Sequence, residues 1–459
     1  MGTKLEKKWG FFMALAMVMG TVIGSGIFFK AAKVLKETGG DMKMALVVIA
    51  IVGAISIICS NVFANMGRMY SNVNGLIDYA EATCSHRYAY FTGWFLAVIY
   101  YPVMASTICY VGATYFCMMC GLEPHGQSST GVAVLFMTLL IMINILAPKI
   151  AGKFQVATLV IKLIPICLMA VVGIIIGIVN GNGITILQTV SSSSATGGSG
   201  IFGGVCAFVF AYEGWIAATT INAELKNPKR DLPLALCIGC LLCTLIYMLY
   251  VYSMGATLTG EEIIAAGDAL PKLAFSNVFG NVAGNLILGF IVVSCLGASN
   301  GVVLCSMRGL YSLAVRGQGP KPDVISQVDE STGMPLFSCI AGIAFIFFWL
   351  FQVSTLFFQG PLVFNGSHSP EWLLAWEADE VCIITLYAIY IPIFAHIYVS
   401  RKEISFVQRY ILPTLAIAAA LFMCYCAYAA YGFQTVYYLI FFGIVMLFGM
   451  RFFDDSKWK

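Results

Sequence analysis

Charge is scarce in this chain. Asp, Glu, Lys and Arg make up 10% of the 459 residues, 60% are hydrophobic, and the formal net charge is only +3. No Lys/Arg-rich block is present, which removes the phosphate-neutralising footprint a nucleic-acid binder needs. Neither H-E-x-x-H nor a P-loop occurs, so the sequence offers no ready metalloprotease or nucleotide chemistry. The four histidines, His86, His125, His368 and His396, stand nowhere at metal-ligand spacing. The 16 cysteines lie almost wholly in apolar runs. Cys237, Cys240 and Cys243 recur every third residue amid Leu and Ile, where a zinc site would find no second shell, so they read as packing residues. No metal and no cofactor is expected. Polar stretches are too short to bury a core of their own, the longest being 179–200, 257–282, 308–335 and 357–376. That excludes a separate soluble domain.

What is abundant is long apolar sequence, and the mean hydropathy of +0.89 is far beyond that of an ordinary soluble protein. Since a membrane crossing takes about 20 apolar residues, runs near 9–36, 42–65, 91–120, 130–147, 154–179, 200–222, 234–257, 283–307, 335–356, 376–399, 410–431 and 434–450 predict twelve spans. The first run is too long and too glycine-rich for a cleaved leader and is expected to stay as a span. Cations fix the orientation. With the N-terminus inside, nineteen of the 25 Lys and Arg fall on the cytoplasmic side. Five (Lys30, Lys33, Lys36, Lys43 and Lys272) fall outside, and Lys162 stands within a span. Both termini are therefore expected in the cytoplasm, with the protein in the plasma membrane among lipid. Residues 191–199 read as a flexible outer loop. Asn365-Gly-Ser fits a glycosylation sequon, relevant only in a eukaryote.

Two spans carry residues that oppose a continuous helix. In "MGTVIGSGIFF" (19–29) the cluster Gly24, Ser25 and Gly26 falls about halfway along the first run, where each glycine costs roughly 1 kcal/mol relative to alanine. Unwinding there would expose backbone groups costing several kcal/mol each in lipid unless protein, water or ligand satisfies them. The same residues, with Gly20, also fit a close small-x-x-x-small helix contact. The sixth run, "FVFAYEGWIAATTINAELKNP", adds Gly214 beside a carboxylate, Glu213. Two interruptions five spans apart point to an inverted repeat with a substrate at mid-depth. A half-helix starting at Ser25 and Gly26 turns N–H groups and a positive dipole end toward the gap, which suits a carboxylate, while carbonyls ending the preceding half-helices suit an ammonium. Such a cavity is a template for a zwitterion.

"VIGSGIF" (22–28), "FAYEGW" (210–215), "ELKNPKRDLP" (224–233) and "NGVVLCSMRGLYSLAVRGQGP" (300–320) together resemble the amino acid, polyamine and organocation permeases, nearest to the L-type amino-acid transporters and their bacterial relatives. The resemblance runs through spans 1 to 10 in order. It departs from the family pattern at "NVFANMGRMYSNVNG". It implies an all-α membrane protein of five-plus-five inverted repeats with broken helices 1 and 6: repeat one about 9–179, repeat two about 200–399, two added helices about 410–450, and one transmembrane domain in all. It also implies the site. The N–H groups of Ser25 and Gly26, with Gly24, would hold the substrate carboxylate, and carbonyls of Val22, Phe210 and Glu213, with Ala211, the amine. Phe210 would be the aromatic gate, and Lys162 in "VIKLIP" would stand where sodium-coupled members hold a cation. Sodium-independent transport follows, with a single-span accessory subunit only if the source is eukaryotic.

Buried charge demands a reason, because a charge at mid-bilayer costs about 2.5–3.5 kcal/mol on insertion scales. Lys162 either braces the helices or snorkels to the interface. Glu213 has three open roles: pairing with a cationic substrate, titrating as a proton carrier, or capping the broken helix. Glu377, Asp379 and Glu380 either focus cations at the outer mouth or sit as a solvated helix N-terminus. Trp215 is a gating candidate, with plain packing as the alternative. The expectation is thus not an enzyme but a secondary amino-acid transporter, an exchanger or proton-linked. The alternative is an amine, polyamine or cationic amino-acid carrier selected by Glu213. A channel is disfavoured because no filter sequence repeats.

Overall fold

A computed structural model describes residues 10–70, 75–179, 181–188, 200–216, 225–357, 363–364, 367–368, 376–400 and 404–458. The serine run 191–194, the second part of the sixth apolar run and Asn365 lie outside the described residues. What is described is overwhelmingly helical, with one two-residue strand pair, Val363–Phe364 against Ser367–His368. Among the described residues ten helices are long and apolar enough to cross a membrane. The bent pair Phe11–Val22 and Gly26–Glu37 makes an eleventh, and Gly200–Tyr212 is a shorter apolar helix. The protein is thus an integral membrane protein. Large apolar side chains face outward from mid-helix, as with Ile175, Leu421 and Ile444; lipid makes such exposure favourable where water would not.

Local signals explain most boundaries. Asp41 caps the Met42–Met69 helix, its carboxylate accepting the Met44 N–H at 3.0 Å. Pro228 opens the Pro228–Ala256 helix at a position where no N–H is needed. Gly432, at φ +53°, takes a left-handed conformation that glycine favours and so separates Leu412–Tyr431 from Phe433–Met450. In the 86–119 helix one wide turn, Leu96–Tyr100, comes just before Pro102, whose ring removes an N–H from the helical ladder.

The chain forms two compact units interleaved along the sequence: Met1–Ala89 with Ile166–Val278 and Ile383–Ala430, and Tyr90–Pro165 with Phe279–Cys382 and Tyr431–Lys459. In the first, the two pieces of the bent pair, the Met42–Met69 helix, Gly200–Tyr212 and Pro228–Ala256 share a core. In the second, the 86–119 helix packs against Asn281–Ala314 and Leu336–Phe357. Trp349 donates its ring N–H to the Val98 carbonyl there at 3.0 Å, and Ser106 bonds the Ile346 carbonyl at 2.9 Å. Its last residues are clamped by Gln318, whose amide exchanges two hydrogen bonds with the Asp454 backbone at 2.8 and 2.9 Å.

Candidate substrate site

The residues singled out at the two weak points all fall in the first unit. The helix Phe11–Val22 ends, Ile23 turns extended (φ −71°, ψ 91°), and a second helix restarts at Gly26 with its axis bent by 53°. Ser25 occupies the N-cap position of that second helix but makes no capping bond. Its hydroxyl is buried, the residue being 1% exposed, and it has no hydrogen-bond partner among the described residues. The first-turn N–H groups of any helix lack partners within it. A buried donor-rich corner results, with a hydroxyl and a positive dipole end.

The other weak point faces this one. Helix Gly200–Val209 tightens into a 3-10 turn at Phe210–Tyr212, Glu213 goes extended (ψ 150°), and Gly214 sits at φ +112°. Non-glycine residues rarely adopt that conformation. The approach of the two interruptions is close. A Cβ on Gly214 would stand 2.6 Å from the Thr21 carbonyl oxygen, and one on Gly26 would stand 3.0 Å from both the Ala211 Cα and the Phe210 ring. Val22, Gly24, Ser25, Gly26, Phe210, Ala211 and Glu213 are therefore brought together. Of the carbonyls expected to hold an amine, Phe210 already accepts the Glu213 N–H at 3.2 Å. Val22 accepts the Tyr247 hydroxyl at 3.0 Å, as Ala211 does at 2.9 Å. Each carbonyl keeps a second lone pair.

Sequence reasoning missed Tyr247, because a tyrosine inside an apolar run carries no positional signal until the breaks are placed. It also gave Lys30 no role beyond the charge count. Counted there among the outer-side cations, Lys30 is 2% exposed, its Nζ 5.0 Å from the centre of the Phe210 ring and 5.6 Å from that of Phe29. The two rings meet edge to face at 5.2 Å. The available signal was spacing: four residues after Gly26, Lys30 returns to the same helical face.

Glu213 is half-buried with its Oε2 fully covered, and Tyr387 lies within electrostatic reach of it. Trp215 is buried against the rings of Phe63 at 5.7 Å and Tyr390 at 5.9 Å. Lys162 belongs to the second unit and is 8% exposed. It follows by one helical turn Thr158, which packs on Gly297 of the Asn281–Ala314 helix. The acidic cluster corrects one expectation. Asp379 and Glu380 are buried rather than solvated, Glu380 accepts the Tyr431 hydroxyl, and the carboxylate oxygens of Glu377, Asp379 and Glu380 lie within 4.8 Å of one another. Their place in the first turn of Ala378–Val399 still suits the helix dipole. One pentapeptide, 297–301, has the G-x-S-x-G spacing of a hydrolase elbow, yet it lies inside a continuous helix and not at the strand-to-helix turn that chemistry requires.

Comparison with known proteins supplies the remaining finding. The sequence profile described as amino acid permease matches residues 10–450. The chain is 29% identical over 430 residues to the serine/threonine exchanger SteT of Bacillus subtilis (strain 168), the match covering 91% of this chain and 90% of that protein. It is 26% identical over 323 residues to the human b(0,+)-type amino acid transporter 1, covering 67% of this chain and 63% of that one, less than two thirds of its length. To the human cystine/glutamate transporter it is 25% identical over 346 residues, covering 72% and 66%.

Proposed function

The chain belongs to the amino acid permease family, and from that premise we infer that it is a secondary amino-acid transporter, an exchanger or proton-linked carrier that works without sodium by alternating access. The observation that carries this reading is the buried, unpartnered Ser25 hydroxyl at the start of the Gly26–Glu37 helix, with the Phe210 ring directly against Gly26. Donors gather on one side of the break. The ends of the preceding half-helices supply carbonyls on the other. A zwitterion fits between them, its carboxylate on the N–H groups of Ser25 and Gly26 near Gly24, its ammonium on the carbonyls of Val22, Phe210 and Glu213, with Ala211. Phe210 closes over it. That closure gives occluded and open states different substrate affinity, which is what lets substrate shift the equilibrium between them.

The architecture that serves this mechanism is twelve spans in a five-plus-five inverted repeat, both termini cytoplasmic, in the plasma membrane. Each compact unit alternates along the chain, Met1–Ala89 with Ile166–Val278 and Ile383–Ala430 in one, Tyr90–Pro165 with Phe279–Cys382 and Tyr431–Lys459 in the other, which supports a repeat. Such pairing is what an internal repeat produces. Lys162 supplies a fixed positive charge in place of a coupling cation, and Trp215 anchors the segment beyond Gly214.

A second reading, an amine or cationic amino-acid carrier selected by Glu213, is favoured by the covered Oε2 of that carboxylate beside the break. Against it stands the Lys30 ammonium on the gate ring. Both readings are tested by loading purified protein into liposomes and challenging labelled uptake with all common amino acids, putrescine and agmatine. Saturable uptake stimulated by internal amino acid is expected; its absence overturns the transporter reading. The second reading falls when lysine, arginine and putrescine compete no better than alanine and Glu213→Gln leaves the ranking unchanged.

A further inference from the structure

The last long helix ends in a feature that lipid exposure alone does not account for. Phe433–Met450 has 18 residues, about 27 Å at 1.5 Å per residue, which nearly matches a hydrocarbon core of about 30 Å. Arg451 is the first residue past it and so stands at headgroup depth. Ile440, Ile444 and Leu447, each more than half exposed, follow one another by four and three residues, and Arg451 comes four further on. That spacing keeps all four on one face of the helix. An apolar stripe on its outside thus runs straight to a guanidinium.

Arg451 also lines a cavity of about 300 Å³ in the second unit, walled by Gly317, Gly319 and Pro322 on one side and by Phe452, Asp454 and Lys457 on the other. The walls are tied to each other. The Gly319 N–H donates to the Phe452 carbonyl at 3.1 Å, Gly317 leaves no room for a Cβ against the Lys457 carbonyl, and the Phe452 ring packs on Trp94 at 5.9 Å. Charge in the cavity is unbalanced. The Asp454 carboxylate is engaged by its own turn, accepting the Ser456 N–H at 3.2 Å and hydroxyl at 2.6 Å and pairing with the Lys457 ammonium at 3.0 Å. Arg451 makes no ion pair and no side-chain hydrogen bond among the described residues. Its planar fork of donors suits two phosphate oxygens at once.

We propose that this cavity binds an anionic phospholipid, with the phosphate on Arg451 and Lys457, the rest of the headgroup between 317–322 and the chain's last segment, and the acyl chains along Ile440, Ile444 and Leu447. Basic pockets at a membrane face recognise such headgroups. A soluble phosphate would use the cations and leave the stripe unused. On the orientation proposed above, the leaflet is the inner one. The site needs no transport and stands apart from the transporter reading.

Native mass spectrometry tests it, by counting lipid retained on protein released from mixed micelles of dioleoylphosphatidylglycerol and dioleoylphosphatidylcholine. Preferential retention of phosphatidylglycerol is expected, its Kd rising about tenfold in Arg451→Gln and a few-fold in Lys457→Gln. Arg409→Gln removes one positive charge from the first unit and should leave that Kd unchanged. Equal retention of the two lipids by the wild type, or equal losses in Arg409→Gln and Arg451→Gln, overturns the proposal. Glycerol phosphate carries the anion without the chains and is expected to bind about a hundredfold more weakly or worse. Binding as tight as that of the lipid would assign the cavity to a soluble phosphate and overturn the lipid site. Both substituted residues are exposed, so melting temperatures in phosphatidylcholine should stay close to wild type. If Arg451→Gln melts early, Lys457→Gln decides, and an unchanged Kd there overturns the proposal.

Discussion

Glycine does opposite work at Gly309 and Gly342 of the second unit and at Gly214 of the first. In the second unit glycines sit inside continuous helices and bring them together. A Cβ on Gly309 would stand 2.8 Å from that of Ala97, and one on Gly342 would stand 2.5 Å from the Ser306 carbonyl oxygen, yet both helices run on unbroken. In the first unit Gly214 takes a conformation other residues rarely adopt, and helical geometry ends there. Absent side chains let backbones approach at Gly309 and Gly342 and let a backbone leave its helix at Gly214, while Gly53 and Gly239 of the first unit side with the former. Sequence periodicity does not separate these uses, because both put small residues amid apolar ones. The separating quantities are φ and the continuity of the hydrogen-bond ladder.

The comparison breaks most sharply at Gly214. Gly214→Ala combines a strained backbone, of order 1–3 kcal/mol, with a Cβ 2.6 Å from a carbonyl oxygen of the facing break. Transport normalised to folded protein in liposomes is expected to vanish. Activity near wild type would show that the interruption is not needed. Gly26→Ala comes next. Its Cβ meets the Ala211 backbone and the Phe210 ring at 3.0 Å, and displacing that ring by even part of an ångström is expected to reduce uptake roughly tenfold or more. The second-unit partner is Gly309→Ala, where overpacking costs about 1–3 kcal/mol. Here the melting temperature falls while turnover per folded molecule holds; a loss of turnover at unchanged stability would refute the packing role. A smaller effect is expected for Lys30→Met. Removing a positive charge beside the Phe210 ring should improve competition by lysine and arginine by about threefold, read from inhibition of labelled uptake. No change in ranking would mean that Lys30 only packs.

Much of this was legible in advance, and the reasons are physical. Hydrophobic runs report helices because lipid demands length and apolarity. The observed Met42–Met69, Gln127–Leu146 and Ala378–Val399 lie within a few residues of the expected 42–65, 130–147 and 376–399. Gly24 to Gly26 and Glu213–Gly214 were visible as weak points because helix propensity is a local property. What stayed hidden depends on register between helices distant in sequence. Tyr247 matters only once Val22 and Ala211 are placed beside it, Lys30 only once the second half-helix is known to restart at Gly26. Asp379 and Glu380 looked solvated because acids at a helix N-terminus usually are, and no local signal announces the packing that buries them.

The smallest expected effect discriminates most finely. Gly24 stands in the break itself, but unlike Gly214 it has no positive φ, and a Cβ there would find only Val22 O at 3.8 Å and Gly26 N at 3.9 Å. Neither conformation nor packing requires glycine at this position. Gly24→Ala should therefore leave the melting temperature nearly unchanged, within about 0.5 kcal/mol of wild-type stability. The added methyl would occupy open space next to the first-turn N–H groups, where a substrate carboxylate would come, so KM should rise a few-fold at unchanged maximal rate. A drop in stability like that of Gly309→Ala, with KM untouched, would assign Gly24 to helix packing and return the first span to the small-x-x-x-small account.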